Sequence, residues 1–341
     1  LGIAQVIGAV LTACVTSMLA AMLVEHLTRY AERLPATLPL RALERGAQPR
    51  LRSRAVTGTL VAAATAASLL LGTLAIDTMH RLADQPETLV LAHRGFSDGG
   101  VENTLSGLNA AAAAGADLVE MDVMQARDGE FVAMHDANLL RLAGTDIAVK
   151  DLTLDQLTQV TVRDLAGHED FVPSFSEYVT RADELGMPLL IEIKLGGGDT
   201  EDHVERLVAE LEALGSLERH IYHSLDPASV AELKHLRPNL TVGYTMAFAG
   251  LGIPETPADF IVVEEWSATQ AMQDEAERAG LGFMSWTVND ETGMRELLRR
   301  NVDGIITDHP DSALQARTEM QQDTGLAEVL TDALTRFVVV F

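Results

Sequence analysis

His93 and His135 each follow a short strand-like run, Leu89–Ala92 and Glu130–Met134, that stops at a polar loop. An imidazole titrates near neutrality, so one of the pair can take a proton while the other gives one. Glu120 and Asp122 lie two apart in the run Asp117–Val123, so a strand there turns both carboxylates to one face. Glu192 and Lys194 repeat that spacing at the end of Pro188–Ile193. Three carboxylates gathered at neighbouring strand ends repel one another unless a cation lies between them. An all-oxygen set of this kind favours a hard ion, Mg²⁺ or Ca²⁺, over Zn²⁺.

The elements that must position these groups can be read from the surrounding pattern. Leu89–Ala92 reads as a buried strand feeding the His93-Arg94-Gly95 loop. Asn103 and Thr104 are helix-capping residues, and an alanine-rich helix follows to about Ala114, closed by Gly115. After Asp117–Val123, further strands are expected at Pro188–Ile193, Arg219–His223, Leu240–Tyr244, Ala258–Val263, Leu281–Trp286 and Gly304–Thr307. Helices are expected near Ser176–Leu185, Glu201–Leu214, Pro227–Leu236, Ala268–Ala279, Glu291–Arg300 and Pro310–Gln321, whereas Ala247–Pro257 reads as loop. Eight strands in such alternation predict an α/β fold, a (β/α)8 TIM barrel over residues 88–321, with chemistry at the carboxyl ends of its strands.

The N-terminal quarter reads differently. Ile3–Val24 is an apolar run without charge, long enough for a membrane span of about 20 residues. Ala55–Ile76 is a second such run, and the connector 25–54 carries Arg29, Arg33, Arg41, Arg45, Arg50, Arg52 and Arg54. Under the positive-inside rule that connector stays in the cytoplasm. The expectation is therefore a membrane segment (1–76) with two transmembrane helices, a linker (77–87), and a multi-pass protein of the cell membrane whose barrel lies outside the cytoplasm. Residues 322–341 form a C-terminal tail with an apolar end. The chain begins at Leu1 rather than Met, as expected of a piece of a longer protein.

Net charge is −25, and residues 1–76 hold seven Arg against three Glu, so the acidic excess lies wholly in the remainder. Such a surface repels nucleic-acid phosphates, which excludes them as partners. The single cysteine, Cys14, rules out a disulfide framework and a cysteine metal site.

The stretch from Thr88 to Ser312 resembles the glycerophosphodiester phosphodiesterase family. The elements that carry the resemblance are His93-Arg94-Gly95, Glu102-Asn103-Thr104, Glu120-Met121-Asp122-Val123, His135-Asp136, Glu192-Ile193-Lys194, Trp286-Thr287-Val288-Asn289 and the run Asp303 to Pro310, in that order. The resemblance implies a small insertion after the second strand, metal ligation by Glu120, Asp122 and Glu192, and His93 and His135 as the acid-base pair. It implies hydrolysis of glycerophosphodiesters to sn-glycerol 3-phosphate and an alcohol, with a possible first attack by the glycerol hydroxyl next to the phosphate. Arg94 and Lys194 would then clamp the phosphate.

Three further residues have two readings each. Glu102 could orient Arg94 or His93, or could simply favour a helix N-terminus. Asn103 matches the family motif, yet capping alone explains it. Trp286 could wall the pocket or belong to the core. His223 and Glu265 also end expected strands, with no role assigned. Two rival functions are a phospholipase D-like lyase that leaves a cyclic phosphate, and a catalytically silent binding module held at the membrane.

Overall fold

Parallel strands built from apolar runs close on themselves into a barrel in this computed structural model, which describes residues 87–247 and 252–322. These residues all belong to one compact unit, Gln85–Phe341. In chain order the strands are β1 (Leu89–His93), β2 (Leu118–Gln125), β3 (Phe131–Ala133), β4 (Thr161–Arg163), β5 (Glu169–Phe171), β6 (Leu189–Ile193), β7 (Ile221–Ser224), β8 (Val242–Met246), β9 (Phe260–Glu264), β10 (Gly282–Trp286) and β11 (Gly304–Thr307). β1 pairs in parallel with both β2 and β11, and the ring is completed in the order β2, β6, β7, β8, β9, β10, β11. These eight parallel strands are the (β/α)8 barrel expected from the alternation, and each overlaps its expected run.

Period-two alternation divides each strand between two environments. Leu91, Leu118, Leu190, Phe260, Val262, Met284 and Ile306 pack together as one cluster, the filled interior of the barrel. Gly243 makes room there: a Cβ on it would come within 2.2 Å of the Phe260 ring. The alternate residues, such as Val119, Ile191, Ile261 and Ile305, pack in two larger clusters with the helices. Continuing the inward alternation toward the carboxyl ends leads from Leu91 to His93, Leu118 to Glu120 and Asp122, Leu190 to Glu192, Ile221 to His223, Met284 to Trp286, and Ile306 to Asp308.

The helix α1 (Leu105–Ala114) opens on Thr104, whose side chain accepts from Gly107 N, and ends on Gly115 in the left-handed conformation. Among the described residues no helix separates β8 from β9. The segment after β3 contains two one-turn helices and the antiparallel β4–β5 hairpin. It has its own core, with Leu139, Leu142, Val149, Leu157 and Val162 packed on Met124 and Val132. Asp170 from this insertion accepts a 2.9 Å hydrogen bond from Ser106 N, fastening it to the start of α1.

The run into His135 forms β3, which returns antiparallel along β2, with Ala133 opposite Val123, so the hairpin brings His135 toward the barrel mouth. One expectation is corrected: the multi-pass membrane location is withdrawn. No helix among the described residues is long and apolar enough to cross a membrane. The two expected spans, 3–24 and 55–76, and the connector 25–54 lie outside the described residues, as do linker residues 77–86 and tail residues 323–341.

Candidate active site

The loop after β1 starts with Arg94 at φ 58°, a left-handed conformation that costs a side-chain-bearing residue energy. Its backbone amide donates to Glu120 Oε2 at 3.0 Å, so the unusual turn is stabilised by a charge-assisted hydrogen bond to the next strand. Gly95, at φ 101°, passes so close to α1 that a Cβ would sit 2.7 Å from the Gly107 backbone. No other residue fits there.

Asp122 is fully enclosed, and the groups around it explain how a buried charge is tolerated. Asn103 Nδ2 donates to its Oδ2 at 2.7 Å, and Asp122 N donates back to Asn103 Oδ1 at 3.0 Å. Arg94 Nε lies 3.3 Å from Oδ2, and Lys194 Nζ lies 3.4 Å from Oδ1. Asn103 is therefore a clamp on Asp122, while Thr104 alone caps the helix. Asp122 Oδ1 makes no hydrogen bond.

Lys194 also reaches Glu192 Oε1 at 3.2 Å. Burial works against its charge, but Asp122 and Glu192 outweigh that and raise its pKa. Burial pushes the Glu192 carboxyl up, helped by Asp122 and Glu120 against the opposing His223 and Lys194. Glu120 is equally buried, yet the imidazoles of His223 and His93 and the Arg94 guanidinium hold it down, to about 2. One ligand atom each from Glu120, Glu192 and His223 lie within 4.8 Å of one another, a group that could hold a metal ion. Within this group His223 Nε2 is buried and makes no hydrogen bond. Asp122, expected as a ligand, is not among the three: its Oδ1 faces Lys194 at 3.4 Å and its Oδ2 is held by Asn103 and Arg94. Buried polar atoms rarely go without partners, so the three residues fit a divalent cation.

Each of the two expected acid-base histidines has a carboxylate on Nδ1. His93 Nδ1 is 2.7 Å from Asp308 Oδ1, and Asp308 in turn receives Asn289 Nδ2 at 2.6 Å. Burial lowers the His93 pKa, but the Asp308 hydrogen bond and nearby Glu120 outweigh it, so the net shift is upward. His135 Nδ1 is 2.7 Å from Asp136 Oδ1. Burial acts to raise the Asp136 pKa, but Arg141 and His135 hold it down, to about 2.

Arg141, in the insertion, joins the two halves. Its Nε donates to Asp136 Oδ2 at 2.7 Å, and both its terminal nitrogens reach Glu102 at 2.6 Å. Glu102 also accepts from Arg94 at 3.1 Å. The chain His135, Asp136, Arg141, Glu102, Arg94 is thus continuous. Trp286 ends β10 beside the interior cluster, with its Nε1 buried and making no hydrogen bond.

Sequence reasoning gave no role to Asp308, Asp136, Arg141 or His223. Asp308 and His223 follow inward-facing Ile306 and Ile221 by two positions, the same spacing that marked Asp122 and Glu192. Arg141 carries no such signal, because only the folded insertion brings it to Glu102.

The fold recurs in known proteins. Residues 93–312 match the model of the glycerophosphoryl diester phosphodiesterase family. A glycerophosphodiester phosphodiesterase of Caldanaerobacter subterraneus is 27% identical over 241 residues, 67% of this chain and 97% of that protein. A Bacillus subtilis glycerophosphodiester phosphodiesterase is 28% identical over 250 residues, 65% of this chain and 84% of its own. The crystal structure of a Thermotoga maritima glycerophosphodiester phosphodiesterase superposes with a TM-score of 0.55 at 26% identity, covering 67% of this chain and 98% of that one. An Oleispira antarctica phosphodiesterase in complex with the product sn-glycerol-3-phosphate shares the fold, with a TM-score of 0.59 at 24% identity over 67% of this chain and 96% of that one. The family match spans most of the chain and begins at the histidine of the strained loop. This chain belongs to the glycerophosphoryl diester phosphodiesterase family.

Proposed function

We propose that the chain hydrolyses glycerophosphodiesters to sn-glycerol 3-phosphate and an alcohol, with a divalent cation held by Glu120, Asp122 and Glu192. Family membership supports the reaction class. The observation that carries the rest is the convergence of buried carboxylates beside a carboxylate-paired histidine at one end of the barrel.

His93 and His135 act as the acid-base pair. One removes the proton from the attacking hydroxyl, and the other protonates the departing alkoxide. Asp308 and Asp136 fix the imidazoles through Nδ1, which leaves each Nε2 for the substrate. Arg94 and Lys194 bind the phosphoryl oxygens, and the Trp286 ring walls the pocket on the β10 side. Glu102 holds Arg94 and, through Arg141, ties it to the His135 side. A bound divalent ion would supply Lewis-acid stabilisation of charge on the phosphoryl group.

The first nucleophile in this reading is the glycerol hydroxyl next to the phosphate. Its oxygen bonds to phosphorus, the alcohol leaves with a proton, and water then opens the cyclic phosphate to give glycerol 3-phosphate. Phosphorus NMR of the reaction of glycerophosphocholine, alongside its analogue lacking that hydroxyl, is the test. Glycerol 3-phosphate from the natural substrate and an inert analogue are expected. Equal turnover of the analogue would mean direct attack by water, and accumulation of the cyclic phosphate would mean a lyase.

A further inference from the structure

The inward position at the end of β7 is occupied by His223, only 2% exposed. Its two ring nitrogens have different surroundings. Nδ1 is 2.7 Å from Thr245 Oγ1 on the neighbouring strand. Nε2 is buried and makes no hydrogen bond, although Glu120 Oε1 lies 3.8 Å away. That separation is an ion-pair distance and too long for a hydrogen bond.

The tautomers can be weighed on this geometry. With the proton on Nδ1, the Thr245 hydroxyl accepts it and Nε2 presents a lone pair to the Glu120 and Glu192 carboxylates. A lone pair facing anions is repelled unless a cation stands between them. With the proton on Nε2 instead, the buried N–H faces Glu120 Oε1 at 3.8 Å, too far to be satisfied by a hydrogen bond. A cation shared by the three groups removes both difficulties, and the Thr245 contact is the kind of outer partner that orients a metal-bound imidazole.

We propose that His223 is itself a ligand of the divalent ion, through Nε2, with Thr245 as its positioning residue. The proposal rests on the metal-dependent reading above and changes its chemistry. A nitrogen donor among carboxylates moves the preference from Mg²⁺ and Ca²⁺ toward first-row transition ions such as Mn²⁺, Co²⁺ and Zn²⁺. The all-oxygen set expected from the sequence would show this bias less strongly.

The test uses the full chain, stripped by chelation and reloaded with Mn²⁺. Pulsed EPR of the wild-type protein should show ¹⁴N modulation from a directly bound imidazole, replaced by the ¹⁵N pattern on labelling with ¹⁵N-histidine. His223→Gln should still bind Mn²⁺ but lose that modulation. By calorimetry the wild type should bind Mn²⁺ more tightly than Mg²⁺ or Ca²⁺. Thr245→Val should weaken Mn²⁺ by about 10–100-fold, as loss of an outer partner typically does. Mn²⁺ bound by the wild type without nitrogen coupling, or coupling that survives in His223→Gln, overturns the assignment and leaves the carboxylate metal site standing. Failure of the wild type to bind Mn²⁺, Mg²⁺ or Ca²⁺ at all overturns the metal reading itself.

Discussion

His93 Nδ1 and Asp308 Oδ1 meet at 2.7 Å across the seam where the first and last barrel strands pair, although they are 215 residues apart in the chain. Closure of the barrel thus builds a histidine–carboxylate pair from the two ends of the domain. Asp308 is held in turn by Asn289, which donates to Oδ2 and accepts from Asp308 N at 2.9 Å. The acid has no freedom to leave the imidazole without breaking that bracket.

Asp308→Asn should therefore impair chemistry more than substrate binding. The imidazole loses the partner that fixes its tautomer, and kcat should fall by about 10²–10⁴-fold. KM should change little. The His93 pKa, which Asp308 helps to raise, should move down, and NMR titration of the His93 ring resonances would follow it. An unchanged kcat would remove Asp308 from the mechanism.

Asp122→Asn should keep the side-chain volume and remove one negative charge from the donor set. Asn103, Arg94 and Lys194 all face this carboxylate, so the substitution also leaves the two cations less well balanced. Affinity for the divalent ion should fall by at least about 100-fold, more than the usual effect of an outer-shell change. Calorimetric titration of both proteins would show it, and equal affinities would mean that Asp122 is not a ligand.

Asn103→Ala should destabilise the fold. It removes both side-chain hydrogen bonds to buried Asp122 and places alanine at φ 52°. Orphaning a buried charged partner and straining the backbone together should cost about 2–4 kcal/mol. Urea unfolding of the variant would measure this. A loss near zero would show that the clamp is dispensable.

His220 gives the pH dependence of stability a definite sign. Its Nδ1 accepts from Leu189 N at 3.2 Å and must be unprotonated to do so. Burial lowers its pKa to about 4, against the opposing effect of Asp183. The folded pKa lies below the ordinary histidine value, so protons favour the unfolded chain. Stability is whole above about pH 6.5 and is lost as pH falls toward 4, by about 2 kcal/mol at about pH 5. His220→Gln should flatten that part of the profile. Parallel denaturation curves near pH 7.5 and pH 5 would reveal whether it does.

The barrel was legible because strands buried on both faces are short apolar runs, and all but one of the steps between them, from β8 to β9, carry a helix among the described residues. The carboxylates were legible through period two. What a linear reading could not supply was pairing. The Asp128-Gly129 turn marks a reversal, but only the pairing of β3 with β2 shows that His135 arrives on the return limb of a hairpin. Asn103 had the composition of a cap, and the neighbouring Thr104 took that place, leaving the amide free to grip Asp122. Asp308 and His223 obeyed the same alternation as Glu192. Their roles depend on which strand end faces which across the closed barrel, and that is a property of the fold.

Release of sn-glycerol 3-phosphate from glycerophosphocholine by the purified chain, followed before and after EDTA and again with divalent metal restored, tests the central claim most directly. The account predicts release that EDTA abolishes and the metal recovers, and at least a 10²-fold loss in His93→Ala and His135→Ala alike. Release that persists undiminished in EDTA, or in either histidine variant, would contradict it.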